Sequence, residues 1–339
     1  MIKFSQKRIT TLSTGLLLLV LVFLSMEIGL FLLSPADKSG KDKVIIIEEG
    51  LSLNAIAEKL YQQHIITNKF LFMTWTRVFG YSREIKSGEF LLSARMSPIR
   101  IMEILRRGVI ITHPITIPEG YSRVQIAELL ERKGLVDKQK FLSLTEEPKL
   151  IASYGLSGTS LEGYLYPDTY QFAKGLSAGS IINTMVQRFF EIIEPYSTSL
   201  KNSDLSLQEL ITLASIVEKE TGRKDERPII ASVFLNRLKK GMRLASDPTV
   251  IYGIKDFNGN ITRKNLKENT PYNTYLIRGL PPGPIACPGV DSIKAVLYPA
   301  ETDYLYFVSK NDGSHHFSKT LSEHNRAVEI YQKNKKGRP

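Results

Sequence analysis

Hydrophobic and polar positions divide the chain into three textures, the first of them an unbroken apolar run. Residues Thr11 to Leu33 (TLSTGLLLLVLVFLSMEIGLFLL) have the length of about 20 residues that crosses a bilayer as a helix. Lys3, Lys7 and Arg8 precede the run. By the positive-inside rule this makes residues 1–10 a cytoplasmic tail, residues 11–33 a single transmembrane anchor, and everything beyond it extracytoplasmic. Glu27 is the one ionisable residue within the run, close enough to its end to reach toward the interface. A cleaved signal peptide is the competing reading, because Ser34-Pro35-Ala36 loosely fits a small-x-small site; the length of the run favours the anchor. Residues 34–43 are polar and read as a linker.

The second texture is a strand-like run, a glycine turn and a helical pattern, and it occurs twice. Ile47-Glu48-Glu49-Gly50-Leu51-Ser52 leads into Ile56, Ala57 and Leu60, then Ile65-Ile66. Ile117-Pro118-Glu119-Gly120-Tyr121-Ser122 leads into Ile126, Ala127 and Leu130, then Leu135-Val136. The offset of seventy positions (Gly50 to Gly120) marks a duplicated module rather than a short-period solenoid. Each copy predicts a strand, a turn, a Ser-capped helix with apolar residues three and four apart, and a short return. Between the copies, Lys86 to Leu92 predicts a strand, and Ser97-Pro98 opens a helix carrying Ile101, Ile104 and Leu105. Such units, spanning residues 44–154, resemble LysM-type modules that grip N-acetylated sugars; a spacer that keeps the shape without the site is the other reading.

From about residue 155 the texture changes again. Leu161 to Tyr170 is rich in aromatic and loop-forming residues. Three helical stretches follow: 177–194 with Ile181, Met185, Phe189 and Ile193 in register, 205–221, and one from near Asp225 to about Lys240 with Pro228 in its first turn. Turn residues such as Ser246-Asp247-Pro248, Asn258-Gly259 and Gly279 to Pro284 then predict mostly loop. A strand at Tyr304–Val308 and a final helix close a region of 155–330, and residues 331–339 form a basic tail with Lys333, Lys335, Lys336 and Arg338. The whole reads as an α+β protein: an N-terminal transmembrane helix, a small LysM-like α+β module and a larger α+β domain.

A net charge of +11 invites a nucleic-acid reading, but the charge is spread along the chain and its bulk lies outside the cytoplasm. Anionic lipid and wall polymer are the better-matched neighbours. One cysteine, Cys287, excludes an intramolecular disulfide and a multi-cysteine zinc site. His315-His316 with His324 completes no metal motif, no G-x-S-x-G, HExxH or phosphate-cradling glycine loop occurs, and no cofactor or metal is expected.

The chemistry centres on the helix Leu207 to Thr221. At 100° per residue Leu207, Leu210, Ile211, Leu213, Ala214 and Val217 form an apolar arc, with Gln208, Thr212, Ser215 and Lys219 opposite. Glu218 falls on one edge of the arc and Glu220 on the other. Desolvation there, and the negative end of the helix dipole, both favour a protonated carboxyl, which a general acid needs. The wheel nominates both glutamates without choosing, and a surface ion pair with Lys219 or Arg223 is open to either.

Ala214-Ser-Ile-Val-Glu-Lys-Glu-Thr221, Ser232 to Leu238, Ser246 to Gly253, Tyr272 to Tyr275, Gly279 to Gly283 and Tyr304 to Val308 stand in this order, preceded by Leu161 to Thr169. Together they resemble the endolytic murein transglycosylase (MltG, YceG-like) family from anchor to tail. The resemblance implies cleavage between N-acetylmuramic acid and N-acetylglucosamine within peptidoglycan strands, leaving 1,6-anhydromuramic ends, and a role in ending nascent strand growth. It maps the catalytic glutamate onto Glu218. Asp247, Thr249, Tyr252, Tyr272, Asn273 and Tyr275 become candidates for holding the sugars. Peptidoglycan synthases of the penicillin-binding class are the implied partners, with no nucleic acid. Cys287 departs from the threonine common in relatives. Two rival readings remain: a wall-binding scaffold without catalysis, and a lysozyme-like hydrolase with a second carboxylate among Glu162, Asp168, Glu220 and Asp247.

Overall fold

The computed structural model describes residues 14, 16, 18–20, 22–23, 26–254, 257 and 259–333. Helices and two-stranded sheets are mixed along the chain, an α+β fold. Two compact units result: Met1–His113 with Gln171–Ser177, and Pro114–Tyr170 with Ala178–Pro339.

In the first unit β1 (Asp42–Ile47) is followed by α1 (Leu53–Gln62), α2 (Lys69–Val78), β2 (Gly88–Ser93) and α3 (Pro98–Arg107). β1 and β2 pair antiparallel, from Asp42 opposite Ser93 to Ile47 opposite Gly88. Ser52 caps α1 by accepting the Ala55 N–H, and Ile56, Ala57 and Leu60 face the core. The expected short return at Ile65-Ile66 is instead a buried link into α2, whose first turn Asn68 caps. Proline in the first turn opens α3, which buries Ile101, Ile104 and Leu105 as its spacing predicts. Leu32 belongs to this core, with Ile28 and Phe31 packed against it. The expected span Thr11–Leu33 lies partly outside the described residues. Residues 26–33 are helical, and no helix among the described residues is long and apolar enough to cross a membrane.

The chain reaches the second unit within β3 (His113–Thr116), which pairs with β4 (Thr169–Phe172). Between them lie α4 (Arg123–Arg132), α5 (Lys138–Thr145) and α6 (Pro148–Ser153). α4 begins seventy positions after α1 (Leu53 to Arg123), is capped by Ser122 and buries Ile126, Ala127 and Leu130. The duplication is therefore structural as well as sequential, although its second copy, from Pro114 onward, falls in the second unit.

α7 (Ala178–Ile193) buries the stripe of Ile181, Met185, Phe189 and Ile193. After α8 (Ser197–Lys201) come α9 (Leu207–Glu220), α10 (Arg227–Lys239), α11 (Asp247–Gly253) and α12 (Val290–Leu297). The chain ends its described course with β5 (Tyr306–Ser309), β6 (His315–Ser318) and α13 (Leu321–Val328). α9 packs against α10, α11 and α12. Two of these helices correct the sequence reading. Ser246-Asp247-Pro248, expected to be a turn, starts α11, since proline suits the first turn of a helix. α12 stands where loop was expected, with Gly289 at its N-cap. Of the basic tail, Lys333 ends a short π-helical turn and Lys335, Lys336 and Arg338 lie outside the described residues.

Candidate active site

Ser206 and Glu209 form a capping box that starts α9, and every residue from Leu210 to Val217 is buried. This corrects the helical wheel, which set Thr212 and Ser215 on the face away from the apolar arc. Their hydroxyls donate to the carbonyls of Gln208 and Thr212 at 2.7 Å each, and Ser215 Oγ accepts the Ile285 N–H at 3.0 Å. Short hydroxyl side chains that bond back to their own helix are buried with their polar atoms satisfied. α9 is consequently a central helix rather than an amphipathic one.

Its last turn carries Glu218, with 6% of the side chain exposed. Where an apolar edge was expected, the carboxyl group meets three donors. Arg227 Nη2 lies 2.9 Å from Oε1, while the Gly289 N–H at 3.1 Å and the Ser292 hydroxyl at 2.8 Å converge on Oε2. Arg227 is the first residue of α10 and only 5% of its side chain is exposed. Gly289 and Ser292 sit at the start of α12, so the carboxyl also faces the positive end of that helix. Glu218 thus lies where the ends of three helices meet, held by fixed donors from two of them.

Glu220 turns elsewhere. Ser246 Oγ donates to its carboxyl, and burial of that group pushes it up to about 7 even though the residue as a whole is only half-buried. Glu162, 1% exposed, is likewise pushed up to about 7 by burial, against the Arg123 N–H at 3.0 Å and the Tyr252 hydroxyl at 3.0 Å. Asp168 is ion-paired with Arg188 at 2.8 Å.

A groove of about 750 Å³ runs past Gly120, Ser122, Arg123, Lys219, Pro248 and Tyr252. Gly120 and Lys219 tie it to Glu218: a Cβ added at Gly120 would stand 3.5 Å from Glu218 Cγ, and Lys219 Nζ donates to the Gly120 carbonyl at 3.2 Å. Of the candidate sugar-holding residues, Tyr252 lines this groove, and its ring centroid lies 4.7 Å from that of Tyr272. Asp247 is exposed and accepts a hydrogen bond from the Tyr275 hydroxyl at 2.7 Å. Thr249 and Asn273 are fully buried. Thr249 Oγ1 donates to the Ser246 carbonyl, and Asn273 Nδ2 donates to the carbonyls of Leu266 and Glu268, so both staple loops.

Arg227, Gly289 and Ser292 were missed in the sequence. Gly289-Val-Asp-Ser has the small N-cap residue and first-turn acid of a helix start, a signal overshadowed by the prolines before it. Arg227 carried no signal beyond its charge. The histidines do not converge: His315 Nδ1 pairs with Glu226 at 2.7 Å and His324 stacks on Tyr306. Among the described residues no group of His, Cys, Asp and Glu is spaced to hold a metal ion.

Residues 45–330 match the YceG-like family. An endolytic murein transglycosylase of Bacillus subtilis is 36% identical over 320 residues, covering 89% of each chain. One from Streptococcus pneumoniae is 29% identical over 331 residues, 87% of this chain; this chain spans 60% of that longer relative. The 2.6 Å crystal structure of a YceG-like protein of Listeria monocytogenes, 35% identical, superposes with a TM-score of 0.59 over 85% of this chain and all of the other. Sequence and fold agree, and the chain belongs to the YceG-like family.

Proposed function

We propose that this protein is an endolytic murein transglycosylase, cleaving the β-1,4 bond between N-acetylmuramic acid and N-acetylglucosamine inside peptidoglycan strands with Glu218 as acid and then base. The observation that carries the residue assignment is the nearly buried Glu218 carboxyl, held by Arg227, Ser292 and the Gly289 N–H beside a groove of about 750 Å³. Glu218 gives its proton to the departing glucosamine oxygen. As carboxylate it takes the proton of the muramic C6 hydroxyl while that oxygen closes on C1, so the proton returns to Glu218 in each cycle. Intramolecular attack profits from a high effective molarity and needs no positioned water. That distinguishes the reaction from hydrolysis by paired carboxylates. Tyr252, Tyr272, Asp247 and Tyr275 supply rings and polar atoms to the sugars, whereas Thr249 and Asn273 act by fixing the loops that carry them.

In the same reading the apolar run of residues 11–33 anchors the protein in the cytoplasmic membrane through its earlier part, its end packing at Ile28, Phe31 and Leu32 on the core of the first unit, with residues 1–10 inside and the remainder on the extracytoplasmic face. The strand–helix–helix–strand unit formed by β1, α1, α2 and β2 acts as a LysM-like glycan-binding module, and peptidoglycan synthases are the partners that produce the strands being cut. Mass spectrometry of fragments released from purified peptidoglycan tests the activity. Anhydro ends, one water lighter than reducing ends, are expected; reducing ends alone would assign the hydrolase, and no release at all the scaffold.

A further inference from the structure

Glu119 lies in the Ile-Pro-Glu-Gly turn that opens the second repeat, far in sequence from Glu218 but beside it in space. Gly120, at φ +74°, gives the turn the left-handed conformation that lets it pass over Glu218. Its N–H donates to the Cys287 carbonyl at 2.9 Å and the Cys287 N–H returns a bond to the Tyr121 carbonyl at 2.8 Å, fixing the turn on the segment before Gly289. A Cβ at Gly289 would land on the Glu119 carboxyl, so that carboxyl rests on the same backbone whose N–H holds Glu218.

Both carboxyls face one cation through one nitrogen. Arg227 Nη2 is 2.9 Å from Glu218 Oε1 and 3.7 Å from Glu119 Oε2. Nε and Nη1 of the same guanidinium are buried without a hydrogen-bond partner among the described residues, so Arg227 has donors to spare for a change of partner. The Glu119 side chain is 43% exposed and reaches water, while burial, and next the charge of Glu218, push its carboxyl above the usual range. An acid that must carry a proton poses a problem at such a site. Once Glu218 is protonated, a buried guanidinium is left without its counter-charge, which is strongly unfavourable. Glu119 is the adjacent carboxylate able to take it over.

We propose that Glu119 is a positioning residue that shares the Arg227 guanidinium with Glu218 and accepts the ion pair whenever Glu218 carries the proton destined for the glycosidic oxygen. This rests on the assignment of Glu218 above. The other charged and titratable groups around the pair are Lys219 of α9, Lys224 before α10, Asp291 of α12 paired with Lys224 at 2.7 Å, and Tyr166. None of them changes in the variant below.

The test is a pH series from about pH 5 to about pH 9 on purified peptidoglycan, reading anhydro-ended fragments from wild type, Glu119→Gln, Glu119→Asp and Glu218→Gln. Without the Glu119 charge, Arg227 faces Glu218 alone and draws its proton off earlier. The basic limb of the Glu119→Gln profile is therefore expected about one pH unit lower, a roughly ten-fold deficit on that limb, with KM unchanged and rates within about two-fold of wild type at the acid end. Glu119→Asp, which keeps the charge, is expected to restore most of the limb; should Glu119→Gln fold poorly, Glu119→Ser takes its place, a lowered basic limb supporting the proposal and an unshifted or evenly reduced profile overturning it. A Glu119→Gln profile that superimposes on wild type, or that drops equally at every pH, overturns the role. Total loss at every pH also overturns it, by making Glu119 a second catalytic carboxylate. Activity in Glu218→Gln would instead refute the acid itself, whereas an inactive Glu218→Gln with an unshifted Glu119→Gln sinks only the part assigned to Glu119.

Discussion

The turns of the two repeats share a Glu-Gly pair followed by a Ser-capped helix, yet they meet different surroundings. At the first, a Cβ added to Gly50 would find nothing within 4 Å, and Glu49 accepts the Ser177 backbone N–H at 2.9 Å. At the second, Gly120 lies against Glu218, and Glu119 faces the buried Arg227. One local sequence has thus built the same strand, turn and helix twice, while the partners of the turn decide whether it is a structural corner or part of the proposed active site. Local propensity sets the shape, and only tertiary context sets the chemistry.

The contrast is tested most forcefully at Arg227. Arg227→Met leaves the Glu218 carboxyl buried without its cation and is expected to destabilise the protein by about 3–5 kcal/mol and to abolish activity. Glu49→Gln at the first turn keeps the shape and is expected to shift stability by about 1 kcal/mol or less. Urea unfolding midpoints, with an activity assay on each variant, read both; equal effects at the two turns would erase the distinction.

A smaller effect separates the two units by pH. In the first unit three carboxyls move down: Asp37 by the Ser39 N–H, Glu48 by Lys59 and Glu58 by Lys69. In the second, burial raises Glu162 to about 7 from 4.5. A carboxyl whose value rises on folding binds its proton more tightly in the folded state. Its favourable share is therefore complete below 4.5 and fades as the pH climbs through about 7. The loss is on the order of 3 kcal/mol. Thermal unfolding of the second unit is expected to come at lower temperature at pH 8 than at pH 5, and Glu162→Gln to flatten that slope; an unchanged slope in the variant would remove Glu162 as its source.

The smallest and most specific contrast is Gly50→Ala against Gly120→Ala. Both glycines have positive φ, +85° and +74°, so each substitution is expected to destabilise by about 1–2 kcal/mol through backbone strain. Only Gly120→Ala adds a methyl group against Glu218, and only it is expected to lower activity, by roughly ten-fold or more, because small displacements of a reacting group weigh heavily on rate. Equal activity in the two alanine variants would show that the close approach at Gly120 has no bearing on the reaction.

Much of this molecule could be read along the chain wherever one element decides the outcome. The caps at Ser52 and Ser122, the helix start at Ser97-Pro98 and the stripe of Ile181, Met185, Phe189 and Ile193 are local patterns, and the structure follows them. What could not be read depends on elements meeting. Thr212 and Ser215 look like a solvated face until their hydroxyls turn back to the helix and its surroundings close over them. Arg227 looks like one more surface cation until α10 lays it on Glu218, and Ser292 looks like loop until α12 forms. Glu119 reads as a repeat of Glu49, because nothing in the turn itself records that Gly289 and Arg227 lie across from it. The choice of Glu218 over Glu220 came from family resemblance, and the structure separates their surroundings: one carboxyl held by three donors at the junction of helices, the other turned in toward Ser246.

The most direct measurement compares wild type with Glu218→Gln for release of 1,6-anhydromuramic fragments from intact glycan strands, with unfolding curves recorded on both. Wild type is expected to release them and Glu218→Gln to fall by at least about 100-fold while remaining folded. Equal release from the two proteins would contradict the assignment of Glu218 as the acid.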